Sequence, residues 1–161
     1  MYTINQVESI ADEIHTQLYK EEDEIINVVE IAKQLGFDVY SSNFSSDIAG
    51  MVINSKDKHA IYVNQSDIIE RQRFTIAHEI GHIILHHNIK ESEFEEVDYR
   101  GKNKVFEPKE YEANNFAAAL LMPRKKAIEI WKEIEDLDDF AVKFKVSKMA
   151  AAIRLQNLGL I

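Results

Sequence analysis

His78 and His82 stand four residues apart, with Glu79 directly after the first, in the stretch RFTIAHEIGHIILHH at residues 73–87. Four of the six histidines of the chain fall in this one stretch. Residues four apart on a helix share a face, one turn above the other, so the two imidazoles can reach one metal ion. Glu79 then lies beside the ion rather than on it. There it can take a proton from a water whose pKa zinc lowers toward about 7, and hand that proton to a leaving amine. The chemistry this describes is peptide-bond hydrolysis. Gly81, inside the motif, leaves room for a peptide backbone or for a neighbouring helix. The H-E-x-x-H pattern is short and also arises by chance, so its meaning depends on what surrounds it.

A catalytic zinc needs a third protein ligand and one open position. The metzincin pattern would place Gly at 85 and His at 88, and Leu85 and Asn88 exclude it. What remains is an acid on a later helix. The segment after Pro108 offers Glu110 and Glu112, on a predicted helix whose apolar face runs through Ala113, Phe116, Ala117 and Leu120. Glu112 borders that face more closely, so spacing favours it and leaves Glu110 as the alternative. His86 continues the His82 face by one turn. It is a spare ligand, a substrate contact or, in the preferred reading, a packing histidine. His87 is expected to help cap the helix end, and His15 and His59 are expected to be exposed. Tyr62, Tyr99 and Tyr111 are candidates to stabilise an oxyanion, and the sequence does not choose among them.

The elements that must position these residues follow from periodicity. Ile4, Val7, Ala11, Ile14 and Leu18 define an amphipathic helix over residues 4–19. Asn27 and Glu30 form a capping-box start for a second helix, and Gly36 stops it. FDVY predicts a strand, followed by a polar loop at 41–47. IAGMVI and HAIYVN predict a pair of sheet strands joined at NSKDK. A strand such as 59–64, feeding the zinc helix, is either a sheet edge to which a peptide adds or a core strand. Asp67 and Glu70 resemble a helix start, and the helix over about 67–87 would be on the order of 30 Å long. Its Ile76, Ile80, Ile83 and Ile84 are expected in the core, as are Met122 and Trp131. Residues 88–106 are acidic and polar and read as a loop or mobile segment. Pro108 opens a helix. Pro123 ends it and opens another, and two short helices follow up to Gly159.

The chain has 161 residues, 45% hydrophobic and 29% charged, with 5 Gly, 2 Pro and no Cys. This is the composition of a globular protein. One domain over residues 1–161 is expected, with the helical part at 124–161 packed on the rest. The lack of cysteine excludes disulfides and thiolate metal sites and fits a reducing compartment. No apolar run approaches the roughly 20 residues of a membrane span, and MYTINQVESIADEI is not a signal peptide. A cytoplasmic protein with no membrane role is expected. The net charge of −9 opposes nucleic-acid binding. Acidic clusters lie at 21–24 and 91–98, while Lys143, Lys145, Lys148 and Arg154 make the tail basic. Both read as solvated faces, with contact to a partner or DNA as the minor reading. Met149, Ile153, Leu155 and Leu158 are expected to bury against the catalytic part.

RFTIAHEIGHIILHH followed by EYEANNFAAALLMP resembles the ImmA/IrrE family of small zinc metallopeptidases. HAIYVNQSDIIERQRFTIAHE and FAVKFKVSKMAAAIRLQNLGL extend the resemblance over most of the chain. It implies a zincin-like α+β fold, mainly helical, with a small β-sheet or hairpin before the H-E-x-x-H helix. It further implies one Zn²⁺, held by His78, His82 and Glu112, with Glu79 as catalytic base. Asn115, three residues after Glu112, is a candidate to hydrogen-bond a ligand histidine. The implied partner is a protein substrate, a helix-turn-helix repressor of a mobile element or stress response. The alternative is a non-catalytic, metal-containing regulator that binds a repressor or DNA.

Overall fold

The computed structural model describes residues 1–18, 25–101 and 107–161; the acidic run at 21–24 lies outside them. Among the described residues there are seven helices and one four-stranded sheet. In chain order they are α1 (Ile4–Leu18), α2 (Val28–Gln34), β1 (Asp38–Ser42), β2 (Ile48–Asn54) and β3 (His59–Asn64). Then follow α3 (Ile69–His86), β4 (Phe94–Tyr99), α4 (Pro108–Leu121), α5 (Arg124–Ile134), α6 (Leu137–Phe144) and α7 (Lys148–Asn157). This is the expected α+β arrangement, with the hairpin β2–β3 directly before the H-E-x-x-H helix.

Local chemistry accounts for the helix boundaries. The Asn27 side chain accepts the Glu30 N–H, as the capping-box pattern predicts. Ser147 accepts from Ala150 N and Asp136 from Asp139 N in the same way. Pro108 occupies the first turn of α4, where its missing N–H costs nothing. Gly159 stops α7 with a φ of 68°. The α3 start differs from expectation. Its N-cap is Ile68, and Asp67 instead forms ion pairs with Arg100 and Arg71.

The sheet runs in the order β1-β3-β2-β4, with β1 parallel to β3 and the other pairings antiparallel. One expectation is corrected by it, and one open choice is decided. Residues 94–99, inside the segment read as a loop, form the strand β4, because their backbone satisfies the free side of β2. Residues 102–106 of that segment lie outside the described ones. HAIYVN, read as either a sheet edge or a core strand, is an interior strand flanked by β1 and β2, and the edges are β1 and β4. Val52, Ile61 and Val63 point into a core shared with Ile76, Ile80 and Ile83 of α3 and Phe116 and Leu120 of α4. α3 lies close on the sheet because position 50 is glycine: a Cβ there would come within 2.6 Å of both Thr75 Cγ2 and Tyr62 O.

The C-terminal helices join the same core through Phe140, Phe144, Ala151 and Leu155. Arg154 is not part of a basic surface. It is 1% exposed, donates to Glu8 through both Nη1 and Nη2 at 2.5 and 2.6 Å, and donates to Met122 O through Nε. Lys148 pairs with Asp138. Leu155 is buried as expected, whereas Met149 and Ile153 face outward at 75% and 44% exposure, because α7 rests on the core by its opposite side. His15 is not a free surface residue either. Its Nε2–H donates to Leu120 O at 2.8 Å, joining α1 to α4. His59 is exposed, with its ring beside Asn54 and edge-on to Phe37.

Candidate metal centre

The centre is built where α3 crosses α4. Gly81 sits at the crossing. A Cβ there would meet Ala113 Cα and O at 3.2 Å and Phe116 Cδ1 at 3.1 Å, so the two helices are as near as their backbones permit. His78 and His82 flank that contact, and both are buried. Their Nε2 atoms lie 3.0 Å apart and face the first turn of α4.

The acid that meets them is Glu110. Its Oε1 is 3.0 Å from His82 Nε2, and its Oε2 is 3.5 Å from His78 Nε2. The favoured Glu112 is turned to the other side of α4, where Oε2 lies 2.8 Å from His86 Nε2 and Oε1 accepts the Tyr2 N–H at 2.6 Å. The reason is helical phase. Glu110 precedes Ala113, Asn114 and Ala117 by three, four and seven residues, which places it on the stripe facing α3. Glu112 has that phase with respect to Phe116, on the neighbouring stripe.

The hydrogen bonds behind the histidines also differ from expectation. Asn114, rather than Asn115, supports a histidine: its Oδ1 lies 2.9 Å from His78 Nδ1. Asn115 donates to Tyr111 O and accepts from Asn157 Nδ2, which ties α4 to α7. His86 stands behind His82, with their Nδ1 atoms 3.0 Å apart. His87 is the C-cap residue of α3 and stacks on Phe94 at 3.8 Å.

The donor set suits a zinc ion. Tetrahedral zinc with Zn–N near 2.0–2.1 Å separates neighbouring ligand atoms by about 3.3 Å. The three separations here, 3.0, 3.0 and 3.5 Å, straddle that value. Two imidazole nitrogens and one carboxylate match the ligand types that catalytic zinc sites use, where structural sites use four protein ligands.

Glu79 is 2% exposed, next to His78 in sequence. Burial pushes its carboxyl up to about 8, the His78 ring opposes that, and the Asp98 carboxylate adds to it. Asp98 was not singled out in the sequence. It arrives on β4, and one of its oxygens lies within 4.8 Å of donor atoms of both His78 and Glu79. Burial disfavours charge on His78, but the Glu110 hydrogen bond and the carboxylates of Glu79 and Asp98 outweigh it, so its pKa is raised. Hydrogen bonds from His78 and His82 hold Glu110 far below the usual carboxylate range. A cavity of about 200 Å³ opens beside these groups, lined among others by Phe74, His78, Asp98, Tyr99, Glu110 and Asn114. Of the three tyrosines considered, Tyr99 lines it. Tyr62 lies beside Tyr40 on the sheet and Tyr111 is on α4.

Fold and centre together define an α+β protein of the H-E-x-x-H type. The chain belongs to the peptidase M78 family, described as the IrrE N-terminal-like domain, whose profile matches residues 32–156. It is 29% identical over 106 residues to the metallopeptidase ImmA of Bacillus subtilis (strain 168), across 64% of this chain and 59% of that protein. Its fold is similar to that of a Mycobacterium tuberculosis transcriptional regulator, with a TM-score of 0.70 at 17% identity, covering 94% of this chain and 46% of the other. The chain thus spans about half the length of these relatives. No helix among the described residues is long and apolar enough to cross a membrane.

Proposed function

We propose that this protein is a zinc-dependent endopeptidase that hydrolyses a peptide bond in a protein substrate. The observation that carries the reading is the convergence of His78 Nε2, His82 Nε2 and the Glu110 carboxylate, with Glu79 beside them. His78, His82 and Glu110 would hold the ion. Zinc, when bound, supplies an acidified water and polarises the scissile carbonyl. Glu79 accepts the proton and returns it to the leaving amine. Burial raises its affinity for that proton, which it then delivers to the leaving amine. Tyr99, at the cavity wall, is the candidate to stabilise the oxyanion. The edge strand β4 is where an extended substrate can lie. The single-domain organisation over residues 1–161 and a cytoplasmic location belong to the same reading.

The substrate class follows from the family resemblance: a helix-turn-helix repressor. A non-catalytic regulator with a structural metal would need four protein ligands. The spare candidate, His86, has both ring nitrogens engaged, with His82 and Glu112. Direct DNA binding loses support as well, since Arg154 is buried. The test combines elemental analysis of bound zinc with cleavage of a repressor encoded beside the protein. About one zinc per chain, and cleavage that disappears in Glu79→Gln while zinc stays, would support the reading. Cleavage at the parental rate by Glu79→Gln would sink it.

A further inference from the structure

The hydrolysis above leaves one charged group on the cavity wall unused. Arg100 lines the cavity beside His78, together with Phe74, Tyr99 and Asn114. It directly follows Tyr99, the last residue of β4.

A guanidinium carries five N–H donors. In Arg100 the Nη2 pair is spent on Ile48 O at 3.2 Å and on Asp67 Oδ2. The Nε–H is enclosed and meets no acceptor, and Nη1 makes no hydrogen bond among the described residues. The Asp67 side chain is 6% exposed, so the tie that orients the guanidinium is nearly dry. If Arg100 served only to fasten the end of β4 to the start of α3, a two-pronged pair with Asp67 through Nε and Nη2 would do so better. Instead the other Asp67 oxygen lies 3.8 Å from Arg71 Nη1. Arg100 is held at one edge, its side chain stays 27% exposed, and its Nη1 donors are unspent beside the metal centre.

An N–H needs an acceptor, and charge selects which one. The Asp98 and Glu110 carboxylates line the same cavity and would repel an acidic side chain of a substrate. A peptide carbonyl is an acceptor without charge, and every peptide substrate carries one. A hydrogen bond to it from a cation is stronger than one from a neutral donor. A substrate lying along β4 and running past Tyr99 brings its next carbonyls to Arg100.

We propose that Arg100 is a substrate-binding residue, donating through Nη1 to a backbone carbonyl oxygen of the bound peptide and so fixing the peptide's register against the metal centre. The inference rests on the peptidase reading of that centre. Such a bond is made in the bound substrate and kept in the transition state, so its loss should appear in KM rather than in kcat.

The test is steady-state cleavage of the repressor encoded beside the protein, with a thermal melt of each variant. Arg100→Met keeps the aliphatic stem and removes the donors. Its KM should rise about 10–100-fold with kcat nearly parental. Arg100→Lys keeps a charged donor without the fork and should recover part of the loss. Asp67→Asn breaks the ion pair but still offers Nη2 an acceptor. It should lower the melting temperature as Arg100→Met does and raise KM far less. A folded Arg100→Met with parental KM would overturn the inference. So would Asp67→Asn raising KM as much as Arg100→Met, since Arg100 would then act through the fold. If Glu79→Gln cleaves at the parental rate while Arg100→Met still raises KM, the role of Arg100 stands and that of Glu79 falls. A parent that cleaves nothing would remove both.

Discussion

Gly81 of α3 rests against the backbone of Ala113 in α4, where an added Cβ would lie 3.2 Å from both the Ala113 Cα and its carbonyl oxygen. That contact sets how far the histidine-bearing helix stands from the acid-bearing one. Alanine would normally stabilise a helix by about 1 kcal/mol over glycine. Here backbone cannot yield as a flexible side chain would, and overpacking costs about 1–3 kcal/mol. Gly81→Ala is expected to lower the melting temperature and, by pushing α4 away, to weaken zinc binding. A variant that melts higher and binds zinc like the parent would contradict the close-packing argument.

Glu110 and Glu112 can be separated by one comparison. Glu110→Ala removes a group that faces both His78 and His82, and should leave the purified chain without stoichiometric zinc. Glu112→Ala removes a group that meets His86 and the Tyr2 N–H rather than His78 or His82, and should retain zinc. Elemental analysis at equal zinc supply decides it. Full zinc in Glu110→Ala and none in Glu112→Ala would restore the assignment favoured by spacing.

Glu79→Gln should leave the melting temperature and the zinc content close to parental. Loss of a general base costs about 10²–10⁴-fold in rate, and kcat for a cleaved repressor should fall by at least that range. A variant that loses zinc instead would mean that Glu79 holds the centre together.

Burial lowers the His15 pKa below its usual value, with only partial compensation from the bond to Leu120 O and from Asp12. The unfolded chain therefore binds this proton more readily than the folded one, near pH 6.5. Stability from His15 is fully present above about pH 6.5 and declines as the pH falls toward the lowered folded value. Urea midpoints measured from pH 7.5 down to 5.5 should drop. They should drop less in His15→Gln, which can keep the donor to Leu120 without titrating. Equal slopes for the two proteins would remove His15 from the account.

Breaking the buried Glu8–Arg154 pair should be costly, because the surviving charge is left in a dry site. Arg154→Met is expected to lose about 3–5 kcal/mol, and the double change Glu8→Leu with Arg154→Met markedly less. Denaturant unfolding of the single and double variants tests this. Equal losses in both would show that packing rather than charge dominates.

The helical part of the architecture was legible because it follows from local signals. The three-four spacing in α1 and α3, the Asn27–Glu30 cap and the prolines at 108 and 123 each act within a few residues. β4 was not legible, because FEEVDY carries acids where an exposed edge strand tolerates them, and only pairing with β2 makes it a strand. The same long-range event brings Asp98 to Glu79. His78, His82 and Glu79 were readable from one helix face. The choice between Glu110 and Glu112 was in principle readable too, since Glu110 shares phase with Ala113, Asn114 and Ala117. Weighting Phe116 and Leu120 equally with the small residues hid it. In fact the small residues mark where α3 comes closest. Arg154 looked like part of a basic tail because nothing near it in sequence announces Glu8, 146 residues away.

That last separation orders events during synthesis. Glu8 leaves the ribosome long before its cation is made, and Tyr2 waits 110 residues for Glu112. Until α7 emerges, α1 carries a carboxylate that resists being sealed against α4. The growing chain therefore holds its histidines without the clamp that finishes their surroundings. Closure of α1 is therefore tied to the synthesis of α7, and a chain halted before Arg154 would hold its histidines in unfinished surroundings.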